Sequence, residues 1–346
     1  MGTALAMLVV GAALAVSSGA AAPAVAKKPA AGLEPYTVKQ WKQLVAKAKE
    51  EGSVTLYSSQ DPNNLATFAK SFEAKYGIKL TFNRQIDSTL AQQVGADEST
   101  HNLKADLWVI ASKPLALGGL KNGWATTARG PDLFKKRYVR ARFAKPGKAF
   151  VVGAAVQGIA WNTQLFKGKI TDYPDLLNAQ LSGGKIGAII PSGPSLVDVY
   201  LMLEEHYGKS YVQKLGAQKP KLYPSVFPMV QALAAGEVAA TMMASANVLD
   251  MKAQGAPVDF VIPKGGAWNA PWYAMVLKGA PHPAAAQLVA DYMVTPAGQA
   301  AVNHRYGAVL RSVPDAFYVP LRNQKLANLT PQKVTSYQHY WDSVFR

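Results

Sequence analysis

The side chains that could do covalent or metal chemistry are few in this chain, and their spacing excludes most of it. The five histidines (101, 206, 282, 304 and 339) are scattered, and none pairs with a second ligand at metal spacing. There is no cysteine, so disulfides, thiolate metal sites, thiol nucleophiles and a lipid-modified cysteine are all excluded. No Gly-x-Ser-x-Gly, His-Glu-x-x-His or Gly-Lys-Ser/Thr loop occurs. Ser192 sits on a strand-to-helix turn with no histidine or acid marked as its partner. No catalytic residue, metal site or cofactor is expected.

Polar residues suited to holding a ligand gather instead where strands end. Four such ends read Ser58-Ser59-Gln60-Asp61, Ser112-Lys113, Pro191-Ser192-Gly193-Pro194-Ser195 and Ser245-Ala246-Asn247. Open α/β sheets bind ligands at the carboxyl ends of their strands. Ser195 with Asp198 gives a Ser-x-x-Asp capping pattern, and the N–H groups of a helix start make an anion site. An ordinary helix cap is the plainer reading of that motif. Trp268 and Trp272 could stack on an organic ligand, whereas Trp108 and Trp161 lie inside strand patterns and belong to the core. The expected ligand-binding set is Ser58, Ser59, Gln60, Ser112, Ser192, Gly193, Ser195, Asn247 and Trp272.

The elements that must position these residues alternate. A helix from Val38 to Glu51 precedes strands at Ser53–Ser58, Ile78–Asn83 and Asp106–Ala111, with helices between them. Asp61 followed by Pro62 marks a helix start. The longest apolar strand pattern runs from Phe150 to Trp161. A second alternating set follows, with strands at Lys185–Ile190, Lys219–Tyr223, Val238–Met243, Val258–Ile262 and Trp272–Leu277. The helices of this set cover Leu196–Tyr207, Val226–Ala235, a stretch to about Gln254, Ala284–Val294 and Pro296–Arg305. Such alternation predicts an α/β fold with mainly parallel sheets, and the two sets joined by long extended segments predict two lobes around a crevice.

Length and composition fit this. The 346 residues are 49% hydrophobic and 17% charged, as in a globular chain with two cores. The net charge of +16 is spread along the sequence, with Lys135-Lys136-Arg137 followed by Arg140 and Arg142 the only dense run. That pattern favours anionic ligands and argues against nucleic-acid binding. Residues 1–26 carry no charged side chain; Ala4–Val16 is apolar, and Ala24-Val25-Ala26 fits a secretory cleavage site. The run is short for a span, and Gly19 and Pro23 interrupt it, so export with cleavage after Ala26 is expected, although the basic start of a signal is missing.

From about Gly52 to Arg311 the chain resembles the periplasmic ferric-ion-binding branch of the solute-binding proteins that feed ABC importers. Val54-Thr55-Leu56-Tyr57-Ser58-Ser59-Gln60, Phe72-Glu73-Ala74-Lys75-Tyr76-Gly77-Ile78-Lys79 and Ala105-Asp106-Leu107-Trp108 carry the resemblance. Gly184-Lys185-Ile186-Gly187, Ala234-Ala235-Gly236-Glu237-Val238, Ala280-Pro281-His282-Pro283-Ala284-Ala285 and Pro296-Ala297-Gly298-Gln299 add to it. It implies a type II periplasmic-binding-protein fold with two hinge strands and an interlobe cleft. Lobe 1 would be 36–156 and 266–306, and lobe 2 157–265 and 307–346, after a linker at 27–35. In the ferric binders a histidine, a glutamate and two adjacent tyrosines hold the metal; the matching positions here are Asp61, Ala111, Ala246 and Asn247. The anion-holding Ser-Gly turn is kept as Ser192-Gly193. The resemblance therefore implies a periplasmic, monomeric receptor that passes a small anionic organic or phosphorus-containing solute to an ABC permease. A ferric binder with divergent ligands and a transferase-type enzyme on the same fold are the alternatives.

Overall fold

The computed structural model describes residues 34–139, 148–245, 248–264, 268–318 and 329–346. The expected signal sequence, nearly all of the expected linker, and Ala246 and Asn247 lie outside them. Local signals set the first elements. Helix α1 (Val38–Glu51) opens on a capping box between Thr37 and Gln40 and closes on Gly52 in the left-handed region. Strand β1 (Ser53–Ser58) follows, then α2 (Pro62–Tyr76), whose N-cap Asp61 accepts the N–H groups of Asn63 and Asn64. Next come β2 (Lys79–Arg84), α3 (Asp87–Ser99), β3 (Leu107–Ile110), α4 (Lys113–Lys121), β4 (Ala125–Thr126) and the short α5 (Lys136–Val139).

Strand β5 (Phe150–Asn162) is buried along its whole length. After it run β6 (Ile186–Ile189), α6 (Pro194–Tyr207), α7 (Lys209–Ala217), β7 (Lys221–Tyr223), α8 (Val226–Ala234), β8 (Ala240–Ser245), α9 (Val248–Ala253) and β9 (Val258–Val261). The chain ends with β10 (Trp268–Leu277), α10 (Pro283–Tyr292), α11 (Pro296–Val302), β11 (Gly307–Ala308), β12 (Phe317–Tyr318) and α12 (Pro331–Phe345).

The strands lie in the order β2-β1-β3-β10-β5-β8-β6-β7. β1, β2 and β3 are mutually parallel, as are β6, β7 and β8, while β10 and β5 run antiparallel between the two sets. β5 changes partners at Gln157: its first half pairs with β10, and from Gln157 onward it pairs with β8 and then β9. Each set of strands has its own aromatic packing. Tyr292 meets Phe68, Phe72 and Tyr76 at centroid distances of 5.5, 5.7 and 5.8 Å. In the other half Trp341 stacks on Phe345 at 4.6 Å and both meet Tyr200, which fixes α12 against α6.

Several elements differ from the sequence reading. β10 begins at Trp268 and not Trp272, because Trp268 to Ala270 pair with Gln157 to Ala155. α4, α7 and α12 have no counterpart in the expected list, although α4 and α12 open on capped starts, at Ser112 and Thr330, with a proline in the first turn. The Ser195 cap is also corrected. Gly193 is the N-cap of α6, and Ser195 lies in its first turn with its hydroxyl given to Asp87 instead of the helix start. From residue 307 onward, Gly307 pairs with Ala154 and α12 packs on α6 and α7. Among the described residues no helix is long and apolar enough to cross a membrane.

Candidate functional site

The ends of the parallel strands face one another across a cavity of about 110 Å³. Four helix starts reach it. Asp61 caps α2, Ile86 and Asp87 open α3, Ser195 and Leu196 lie in the first turn of α6, and Ser225 to Phe227 open α8. Ser225 makes no side-chain cap bond, so the first N–H groups of α8 lack the usual cap. The floor is the paired strands β5 and β10, where alternation brings Ala155 and Gln157 up beside Trp268 and Trp272. Gln157 lies opposite Trp268 in the register.

Three charged groups line this space. Arg84, at the end of β2, sends Nε toward the Gln60 carbonyl at 3.4 Å and lays its guanidinium over the Phe227 ring at 4.5 Å. Burial pushes the Arg84 pKa down, opposed by Tyr306, Asp61 and Asp87. Asp61 is committed to its helix cap and accepts the Tyr306 hydroxyl at 3.3 Å. Asp87 takes the Ala111 N–H at 3.1 Å and the Ser195 hydroxyl at 3.1 Å. Burial raises the Asp87 carboxyl above its ordinary range, against the donors of Ser59, Ala111, Ser195 and Ser112. The Ser59 hydroxyl faces that carboxylate without reaching hydrogen-bond geometry.

The expected site residues divide by position. Ser59, Ser195 and Trp272 line the cavity, as does Trp268, whose indole N–H donates to Asp198 at 3.1 Å. Trp272 packs edge-on against Tyr306 at 5.3 Å. Ser112 caps α4 and borders an adjoining space of about 20 Å³ that Ser195 also touches. Ser58 and Gln60 are fully buried behind the wall, where the Ser58 hydroxyl donates to Gln60 at 3.1 Å. Their effect on the site is to set the carbonyl that receives Arg84. Ser192 is exposed and, with Gly193, lies outside the lining. Asn247 is outside the described residues. Arg84, Asp87, Gln157, Phe227 and Tyr306 were not singled out from the sequence. A polar residue at the last position of β2 was the one available signal, for Arg84.

Two groupings bear on other chemistry. Among the described residues no three His, Asp or Glu side chains gather to hold a metal ion. Asp61 and Ala111, where iron ligands would lie, both line the cavity. Away from it, Ser53 Oγ lies 3.1 Å from His282 Nε2, and His282 Nδ1 lies 3.0 Å from Asp106. The order of groups is that of a serine-hydrolase triad. Asp106, however, also accepts the N–H groups of Thr55 at 2.7 Å and His282 at 2.6 Å, so it pins β1 to the turn before α10. None of the three lines the cleft cavity.

The cavity thus lies between two parallel-stranded sets and is floored by the strands that cross between them. The chain belongs to the bacterial extracellular solute-binding proteins, whose family model matches residues 103–335. Its fold is that of the type II periplasmic binding proteins. The periplasmic binding protein AfuA of Actinobacillus pleuropneumoniae, solved with fructose-6-phosphate, superposes with a TM-score of 0.68 at 21% identity over 85% of this chain and 98% of that one. The substrate-binding protein of an ABC transporter from Agrobacterium tumefaciens gives 0.74 at 14% identity, over 85% and 95%. Iron-bound HitA of Pseudomonas aeruginosa gives 0.63 at 18% identity, over 84% and 99%. No curated protein matches the chain.

Proposed function

We propose that this protein is an exported receptor that closes on a small organic anion in the cleft and delivers it to an ABC permease. The observation that carries the reading is Arg84. It is a largely buried guanidinium from one half of the molecule, set on Phe227 of the other, beside the uncapped start of α8. The two carboxylates nearby are already engaged: Asp61 accepts the start of α2 and the Tyr306 hydroxyl, and Asp87 accepts the Ala111 N–H and the Ser195 hydroxyl. Helix starts aimed at the same space add positive potential.

The lobes would exchange at Gln157, with lobe 1 also including β10 to β11 and α12 completing lobe 2. Closure would then bring Arg84 and Phe227 together around the solute, acting in a monomer with no nucleic-acid partner. The solutes named for the similar structures, a sugar phosphate and iron, differ in chemistry. The lining here, with tryptophans and a single arginine, suits the organic anion. Native mass spectrometry of the purified protein should find a bound small molecule with an acidic group. Calorimetry with that molecule should show Arg84→Met weakening it by roughly ten- to a hundredfold, the worth of a hydrogen bond to a charged group. A tight, coloured one-to-one ferric complex would overturn the reading.

A further inference from the structure

Gln157 is the residue at which β5 changes partners, and its main chain is engaged on both sides, opposite Trp268 and Ser245. Its side chain is only 6% exposed, and its amide oxygen is buried without a hydrogen-bond partner among the described residues. That oxygen belongs to a side chain lining the cavity, with Trp268, Met243 and Ile189 among its neighbours in the wall. A buried carbonyl oxygen left unpaired costs about 1–3 kcal/mol. Native folds almost always pair such atoms, so an exception on a side chain that lines the proposed solute cavity points to a group brought by the ligand as the cleft closes on it.

We infer that Gln157 reads a hydrogen-bond donor on the solute. The cleft therefore selects an organic anion that also bears a hydroxyl or ammonium group, over the same anion without one. This rests on the reading of the cleft as the solute site, with Arg84 holding the acidic group. The donor requirement comes from a different residue on a different element, so the two parts fail separately. Discrimination follows from relief of that penalty: the Gln157 oxygen is already buried and unpaired, so a solute that brings a donor gains the bond and one without it gains nothing there. Sites built to bond a substrate hydroxyl reject the analogue without it far more strongly than sites that read size alone.

Matched pairs test this by calorimetry: glycerol 3-phosphate against propyl phosphate, lactate against propionate, and taurine against ethanesulfonate. In at least one anion class the donor-bearing member should bind ten or more times tighter than its partner. Gln157→Leu should bring that ratio to within about twofold, and Gln157→Met, closer in shape, should do the same if the leucine variant fails to fold. Arg84→Met should weaken both members of the pair together. Equal binding within every pair, or a ratio that survives both Gln157 substitutions, overturns the inference while leaving the anion reading in place. If both Gln157 variants weaken the two members equally and lower the apo melting temperature, the residue is only structural and the inference fails. Absence of binding by all six compounds counts against the anion reading itself, and the inference falls with it.

Discussion

Ser195 donates its hydroxyl to the carboxylate of Asp87 at 3.1 Å, joining the first turn of α6 to the first turn of α3 across the cleft. The two residues are 108 positions apart in the chain, and neither helix uses the bond for its own cap. Under the proposed closure of two lobes, this contact would belong to the closed arrangement. Arg84 over Phe227 is its counterpart on the other side of the cavity.

Ser195→Ala should therefore shift the molecule toward an open form. A hydrogen bond to a buried carboxylate is worth about 1.5–3 kcal/mol. Small-angle scattering of the variant should show a larger radius of gyration than the parent with the same solute present, and about ten- to a hundredfold weaker binding. An unchanged radius and affinity would remove Ser195 from the closure contacts.

Asp106 should matter to stability and not to turnover. Its carboxylate satisfies the N–H groups of Thr55 and His282 as well as the His282 ring, and it is fully buried. Asp106→Ala leaves those donors unpaired and should cost about 3 kcal/mol or more, read from urea denaturation. Nitrophenyl acetate should be hydrolysed no faster by the parent than by Ser53→Ala; a clear excess would make Ser53, His282 and Asp106 a catalytic site.

Stability should fall as pH rises from about 4 to 7, through Asp291. Burial first, and then the Asp132 carboxylate, push its carboxyl up to about 7, against the N–H groups of Asp132 and Leu133 and the Lys135 ammonium. In the unfolded chain it titrates near about 3.9. The folded state thus holds an extra proton in between, and the stability this gives is full below the unfolded value and lost as pH rises through the folded one. Asp291→Asn keeps an acceptor for the Asp132 N–H and should flatten that part of the pH profile. At pH 8 its melting temperature should exceed the parent's by several degrees, whereas at pH 4 the two should agree or the parent should lead.

Two helical glycines should respond in opposite directions. A Cβ on Gly298 would run into the carbonyl of Tyr292 and the Cα of Met293, so Gly298→Ala should cost about 1–3 kcal/mol. A Cβ on Gly118, within α4, would meet nothing within 4 Å. Gly118→Ala should raise stability by up to about 1 kcal/mol. Thermal melts of the two single variants would decide both.

What the sequence by itself determined was whatever depends on neighbours along the chain. Asp61-Pro62 starts α2, Thr37 and Gln40 box α1, Gly52 and Gly77 end helices, and the apolar run at Phe150–Trp161 becomes β5, because caps, turns and periodicity act over a few residues. The alternation of those elements carried the layered α/β fold, and the polar strand ends marked the side of the sheets where the cavity lies. Tertiary structure alone decided which polar residue faces what. Ser58 and Ser59 are adjacent and chemically identical, yet alternation along the strand turns one into the core and the other to the cavity. Asp87 gained a partner only when the fold set Ser195 against it, and Gln157 sits within an apolar run whose partner strands, β10 and β8, both come from later in the sequence. Those relationships join residues a hundred positions apart, and local sequence holds no record of a contact that only the packing of two sheets creates.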